Sequence, residues 1–370
     1  MWPNYSPACR KDVFNLLDGK HSLTGYRSNK AWGLPPCDWS WAHKFERELE
    51  KRFKVKHCIG VNSGTMALEA AIYALNLPKG SEIITSPYTF SATPASIILA
   101  GHVPVFADVN PYDFTIDPAS VKKCITKKTK AIIPVDLFGG LANYGELEKL
   151  GLPIISDHCQ AVGAEKDGKR TFGLISACSG NGGKNLPMGE GGFCTTDDAK
   201  LAERMRLFIS HGENFDSKEV GRNGRLPELT ACIAYHGLLE LEGRNQRRMG
   251  LANTLSAKLC MMNINDPIQV REPEMFSSGE HVYYVYPFTL HNMDRDKFVK
   301  RMKSKGIYAS GGYLTPPLHH FAAFKKYARG PLPNVEELSF KTLCLINDLT
   351  PDKPLSWAKY VAKSMKECLH

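Results

Sequence analysis

Short apolar runs alternate with segments of helical period along the first two hundred residues. CIGVN (58–62) predicts a strand, and the helix after it opens at Ser63, with Ala67, Ala70, Ala71 and Ala74 as a small apolar face. EIIT (82–85) predicts a second strand before a helix around 91–100. VPVFADV (103–109) predicts a third, before a helix that starts at Asp117–Pro118, a capping acid followed by a proline at a position that needs no N–H. AIIPVDLF (131–138) precedes a helix near 143–150, and PIISD (153–157) is a further strand. Strands that are apolar throughout are covered on both faces. With helices between them they predict an α/β fold, a large domain whose mainly parallel sheet is flanked by helices.

The texture then changes. A loop rich in Gly, Asn and Asp runs from about 211 to 225, and a long helical pattern begins near Pro227 and continues past Leu241, with a bend expected near Gly243. Further on, HVYYVYPFTL (281–290) predicts a strand and DRDKFVKRMKSKG (294–306) an amphipathic helix, the texture of a smaller C-terminal α+β domain. The division expected is residues 1–250, a large domain with its N-terminal segment, and residues 251–370.

Composition narrows the classes. With 370 residues, 43% of them hydrophobic and 23% charged, the chain has material for a substantial core. The net charge of +9 comes from short scattered pairs such as Lys122–Lys123 and Arg247–Arg248, so the stripe of a nucleic-acid binder is missing. Eleven cysteines without a CxxC pair argue against a disulfide framework and a structural zinc site. No segment has the length of a membrane span, and MWPNYSPACRK lacks a signal-like apolar region, so the expectation is a cytoplasmic enzyme. His319 and His320 are adjacent but have no acidic or cysteine partner at ligand spacing, so no metal is expected.

Chemistry gathers in three places. SGNGGKNLPMGEGG (179–192) surrounds Lys184 with six glycines, which allow close approach of a ligand. It satisfies neither GxxxxGK[ST], because Asn185 follows Lys184, nor GxGxxG, because Asn185 holds the last position. Asn62–Ser63–Gly64–Thr65 lies at a strand-to-helix turn, where free N–H groups and the helix dipole favour an anion; a plain serine N-cap fits the same residues. Asp157 ends a strand, where an α/β sheet has its cleft, although a charged residue there also simply starts a turn. Lysine, acid and phosphate cradle together suit pyridoxal 5′-phosphate (PLP): a Schiff base to the lysine, a carboxylate at the ring nitrogen and a helix N-terminus at the phosphate.

The order SGTMAL (63–68), YTFSAT (88–93), PVFADVNPYDFTIDP (104–118), AIIPVDLFG (131–139), SDHCQAVGA (156–164), KNLPMGEGGFCTTDD (184–198) and GRNGRLPELTA (221–231) resembles the DegT/StrS-type sugar aminotransferases, PLP enzymes of the aspartate aminotransferase fold. The resemblance runs from about residue 15 to the Tyr313–His319 region. It implies that Lys184 carries the cofactor, that Asp157 pairs with the ring nitrogen and that Gln160 lies on the side of the cofactor's 3-oxygen. It further implies phosphate contacts from Gly64, Thr65 and Ser179, stacking by Phe90, and an Asn223 that reaches the cofactor of a neighbouring subunit in a homodimer.

The chain departs from that pattern where relatives carry bulkier residues at Gly180, Asn181, Gly182 and Gly183, an aromatic at Gly224, and histidines at Gly312 and Asp136. These positions are expected near the substrate, and the glycines before Lys184 to leave a wider pocket or a looser loop. A lysine in this role needs a pKa lowered by a nearby cation or by desolvation. The implied reaction moves an amino group from glutamate or glutamine to a keto-sugar, keto-cyclitol or related ketone. The alternatives are another Cα reaction of the same cofactor, elimination or decarboxylation, and a PLP-binding regulatory protein without turnover.

Overall fold

The computed structural model describes residues 5–19, 23, 40–212, 219–261, 270–271, 281–291, 293–311, 314–346 and 354–369. Gly312 and Tyr313 lie outside them, as does part of the 211–225 loop. The elements are, in order, α1 (Pro7–Leu17), α2 (Trp41–Phe53), β1 (His57–Val61), α3 (Gly64–Ala74), β2 (Glu82–Thr85), α4 (Ala92–Leu99), β3 (Val103–Phe106) and α5 (Pro118–Cys124). Then follow β4 (Thr129–Ile133), α6 (Tyr144–Glu148), β5 (Ile155–Asp157), β6 (Ile175–Ser179), β7 (Gly192–Thr196), α7 (Ala199–Ile209) and α8 (Glu228–Met261). The last are β8 (Val270–Arg271), β9 (Tyr286–Leu290), α9 (Arg295–Ser304), β10 (Ala309–Ser310), α10 (Pro333–Glu337), β11 (Leu343–Ile346) and α11 (Pro354–Leu369).

The large sheet runs β3-β2-β4, continues through parallel bridges Ile132–Ile154 and Val135–Asp157, and ends β5-β6-β7-β1. Its pairings are parallel except those of β7, which is antiparallel to both β6 and β1. The predicted strands and caps are present: Ser63 accepts from Met66 N–H, and Asp117 from Ala119 and Ser120. Ala67, Ala70, Ala71 and Ala74 are buried under α3 against Ile59, Ile83, Ile133 and Ile155 of the sheet. Each such isoleucine contributes roughly 1.5–3 kcal/mol by leaving water.

Three strands are shorter than their apolar runs. In 131–138 the strand stops at Ile133: Pro134 follows, and a single 3-10 turn at Leu137–Gly139 carries Phe138 at φ 60°. In 103–109 it stops at Phe106, and in 281–290 it begins only at Tyr286. There Val282 N–H is drawn to the carbonyl of Gly139, while the Arg248 guanidinium holds the carbonyls of Tyr283 and Tyr284.

The bend expected near Gly243 is absent, and α8 is one helix of 34 residues. Its first half packs Leu238 and Leu241 beside Phe45, Leu49 and Phe193. Its second half packs Leu251, Leu255 and Leu259 beside Val361 and Met365 of α11. Burial on both stretches outweighs the roughly 1 kcal/mol that a helical glycine costs. The helix therefore passes through residue 250, where the sequence texture changes. Beyond it a second sheet has the order β10-β11-β9-β8, with Phe298 and Met302 of α9 and Val361 and Met365 of α11 in one core beside Phe288.

Candidate active site

Five segments that leave the carboxyl ends of parallel strands, or of β1 and β6, converge on one edge of the large sheet, the place where such sheets bind ligands. From β1 the chain enters α3 through Ser63. The serine hydroxyl takes the Met66 N–H and its carbonyl the Ala67 N–H, leaving the amides of Gly64 and Thr65 as the open donors of the first turn. A Cβ on Gly64 would stand 2.6 Å from the Cβ and 3.1 Å from the Oγ of Ser179, so only glycine allows the end of β6 to close on this helix N-terminus. Two amides, a hydroxyl and the positive end of a helix thus lie together.

Asp157 ends β5 and is buried. Its Oδ2 accepts from Thr93 Oγ1 at 2.7 Å, and that hydroxyl is 3.0 Å from Thr89 Oγ1; Oδ1 accepts from Cys159 N–H at 3.3 Å. Gln160, also buried, spends its Oε1 on Phe138 N–H at 2.9 Å, which leaves the amide NH2 as a donor. Phe90 is 62% exposed, unusual for a phenylalanine flanked by the buried Thr89 and Thr93.

Lys184 is half-buried, with Nζ 4.5 Å from the centre of the Tyr284 ring. Nearby, burial raises the Cys159 thiol, the Asp157 charge raises it further, and the Lys184 charge opposes them.

The glycine stretch is held, not loose. Gly180 N–H donates to Gly191 O and Gly180 O accepts from Met188 N–H at 2.8 Å. Asn181 donates to Glu190 at 2.7 Å and its carbonyl accepts from Lys184 N–H. At Gly180 neither the wider pocket nor the looser loop is realised, because a Cβ there would stand 2.2 Å from the buried Met188 side chain. Gly224 is likewise filled, by Met66 at 2.6 Å.

Asp136 is corrected too. It is fully buried and does not face the site: its carboxylate accepts from Ala142 N–H (2.8 Å), Tyr144 Oη (2.8 Å) and Ser156 Oγ (3.0 Å) and lies 2.6 Å from His158 Nδ1. The carboxylate turns inward because those partners replace its hydration. Asn223 lies next to the predicted Asn62–Thr65 turn through its backbone. Its side chain is exposed, and its carbonyl accepts from Asn62 Nδ2 at 3.2 Å.

Sequence reading missed Thr93, which the helical offset from Phe90 (i, i+3) could have indicated, and Tyr284, for which no local signal exists. It also found no acid for His319 and His320. The fold brings Glu336 to both, since α10 lies across the turn that holds them. Among the described residues, no helix is long and apolar enough to cross a membrane.

The residues present fit PLP. Gly64, Thr65 and Ser179 form a cradle that a Cβ would fill, Phe90 offers a bare ring face, and Asp157 is a buried carboxylate with unused acceptor capacity. The chain matches the DegT/DnrJ/EryC1/StrS aminotransferase family model over residues 40–364. It is 33% identical over 338 residues to a pleiotropic regulatory protein of Geobacillus stearothermophilus, covering 88% of this chain and 89% of that protein. To the dTDP-3-amino-3,4,6-trideoxy-alpha-D-glucose transaminase of Streptomyces venezuelae it is 32% identical over 313 residues, 81% of this chain and 80% of the other. The solved structure of NtdA from Bacillus subtilis with bound cofactor PMP superposes with a TM-score of 0.83 at 26% identity, covering 99% of this chain and 83% of that one.

Proposed function

The chain belongs to the DegT/DnrJ/EryC1/StrS aminotransferase family, whose members are PLP-dependent aminotransferases, and from that premise we propose that it moves an amino group from glutamate or glutamine to the ketone of a sugar, cyclitol or similar polyol. The acceptor class rests on relatives whose names state amino-sugar products or keto-sugar substrates, among them the Streptomyces venezuelae transaminase and the 3-oxo-glucose-6-phosphate:glutamate aminotransferase of Bacillus subtilis. What supports the reading is that Asp157 and Gln160 follow β5, the Lys184 loop follows β6, and the Gly64–Ser179 cradle joins the ends of β1 and β6.

PLP, when bound, supplies an electron sink for the pair left when the donor's Cα–H bond breaks. The chain's residues do the rest. Gly64 and Thr65 amides with the Ser179 hydroxyl would bind the phosphate, Phe90 would cover one ring face, and the Gln160 amide would donate to the 3-oxygen. Asp157 would hold a proton on the ring nitrogen, with the Thr93 hydroxyl fixing the rotamer of that carboxylate. Lys184 would carry the cofactor and, once released, its amine would take the proton from the donor's Cα and deliver it to the cofactor's C4′. The Tyr284 ring beside its Nζ keeps water from one side.

Asn223 is exposed in its own chain, which suits a residue that serves the neighbouring subunit's site in a homodimer. The division at about residue 250 is retained as a functional one, with the cofactor residues before it. A regulatory role without turnover is disfavoured by the retention of Lys184, Asp157 and Gln160 together. The test is a two-stage assay: glutamate or glutamine should convert the bound cofactor to its amino form, read by absorbance, and a panel of keto-sugars and keto-cyclitols should restore it. Failure of every donor, with cofactor bound, would overturn the reading.

A further inference from the structure

Away from the cofactor residues, two imidazoles meet one carboxylate. His319 and His320 sit on the single 3-10 turn Leu318–His320, and Glu336 is on α10. His319 Nε2 is 2.6 Å and His320 Nε2 2.7 Å from the same Glu336 oxygen, and one ligand atom from each of the three residues falls within 4.8 Å of the others. We propose that His319, His320 and Glu336 are the protein ligands of a divalent transition-metal ion of the zinc type, which ties the 318–320 turn to α10.

The donor set selects the metal. Two imidazoles and one carboxylate suit zinc, cobalt or nickel, whereas calcium and magnesium require oxygen ligands throughout. Zinc bonds of about 2.0–2.2 Å in a tetrahedral arrangement place neighbouring ligand atoms roughly 3.3 Å apart. The nitrogen–oxygen separations of 2.6 and 2.7 Å must therefore open by about 0.6 Å, from the distances that zinc imposes. His320 and Glu336 can supply that opening, since their side chains are 42% and 38% exposed. His319 is the fixed member, with a side chain 11% exposed.

Three protein ligands leave the fourth position to water. His319 Nδ1 is buried with no protein partner, so it lacks the acceptor that usually orients a ligand histidine. Such an omission weakens a site by roughly 10–100-fold, so from the weak end of structural zinc sites the expected Kd is about 0.5–5 μM. The turn also touches the cofactor side of the molecule, because Leu318 N–H donates to the carbonyl of Pro87, three residues before Phe90.

The experiment titrates the holoenzyme with Zn2+ by calorimetry and with Co2+ by visible absorption, in a Cys260→Ser background because Cys260 is an exposed thiol. The expected result is one ion per chain, with the thermal midpoint raised by about 3 °C at a hundredfold excess over Kd. His320→Ala and Glu336→Gln should each weaken binding by at least about 30-fold, within the range for losing part of a ligand set. His320 is exposed enough for its variant to fold, so it decides the matter if the Glu336 variant does not. Absence of saturable binding below about 1 mM, or equal affinity in the wild type and the His320 variant, would leave a plain histidine–glutamate contact and overturn the site.

Discussion

Gly180→Ala adds one methyl group at the point where this chain is most tightly closed beside its lysine. The backbone there does not need a positive φ, so the penalty is steric. The new Cβ would lie 2.2, 2.4 and 2.4 Å from Met188 Cγ, Cε and Sδ, against an ordinary contact of at least 3.4 Å. Either Met188 retreats by about 1.2 Å or the 180–184 segment does. Met188 cannot move freely: it is 1% exposed, packs with Phe45, Phe193 and Leu226, and donates its N–H to Gly180 O. Overpacking of this kind costs about 1–3 kcal/mol. If the loop yields, Lys184 is displaced, and an error near 1 Å in a positioned group lowers rate by about 10²-fold. Urea unfolding of the holoenzyme measures the first effect and the donor half-reaction the second. Met188→Ala alone leaves a cavity worth about 2–5 kcal/mol. Combined with Gly180→Ala it should give a double variant more stable than the sum of the singles, by about 1–2 kcal/mol of coupling. An additive cycle, or a Gly180→Ala protein of normal stability and rate, would refute the reasoning.

Lys184→Ala should abolish the borohydride-stable cofactor adduct, located by peptide mass spectrometry; an adduct on any other lysine removes Lys184 from its role. Asp157→Asn leaves the ring nitrogen without its charge partner and should slow the donor half-reaction by at least ~10²-fold with cofactor still bound; unchanged kinetics would contradict the placement. Mixing Lys184→Ala chains with Asn223→Ala chains should restore part of the activity, because one site of each mixed dimer is intact; no recovery after confirmed exchange counts against a shared site. Burial raises the Asp113 carboxyl from 3.8 to about 6. Its folded value thus exceeds its unfolded one, so wild-type stability should fall, relative to Asp113→Asn, as pH rises from about 4 to 6, and the gap should be constant above; a gap in unfolding midpoints that is flat or reversed across that window would be contrary.

The elements legible in the sequence were those whose signals are local. An N-cap is written in one residue and its neighbours, so Ser63 and Asp117 mark the starts of α3 and α5 as the pattern indicated. Runs such as EIIT can only be buried, and β2 occupies Glu82–Thr85 as expected. The residues that converge at the candidate site were legible for a related reason. A lysine among glycines and an acid at the end of an apolar strand are locally costly choices, and such choices mark function.

What the sequence could not fix were contacts between residues far apart in the chain, since no local preference encodes them. Apolar pattern carried the strand beyond Ile133, but pairing to β2 ends there and a turn at Phe138 meets the segment from residue 282. The sequence shows a glycine at 180 and a methionine at 188; only packing puts one in the other's space. Asp136 belongs in water by composition, yet the fold brings Tyr144, Ser156 and His158 to replace that water. Glu336 reaches His319 and His320 because Leu318 and Val335 pack in one core with Tyr88, Phe106 and Phe138, which lie far away in the chain. Local chemistry sets each segment's conformational preference, while the burial free energy that chooses among the possible pairings of segments exists only once the chain has closed on itself.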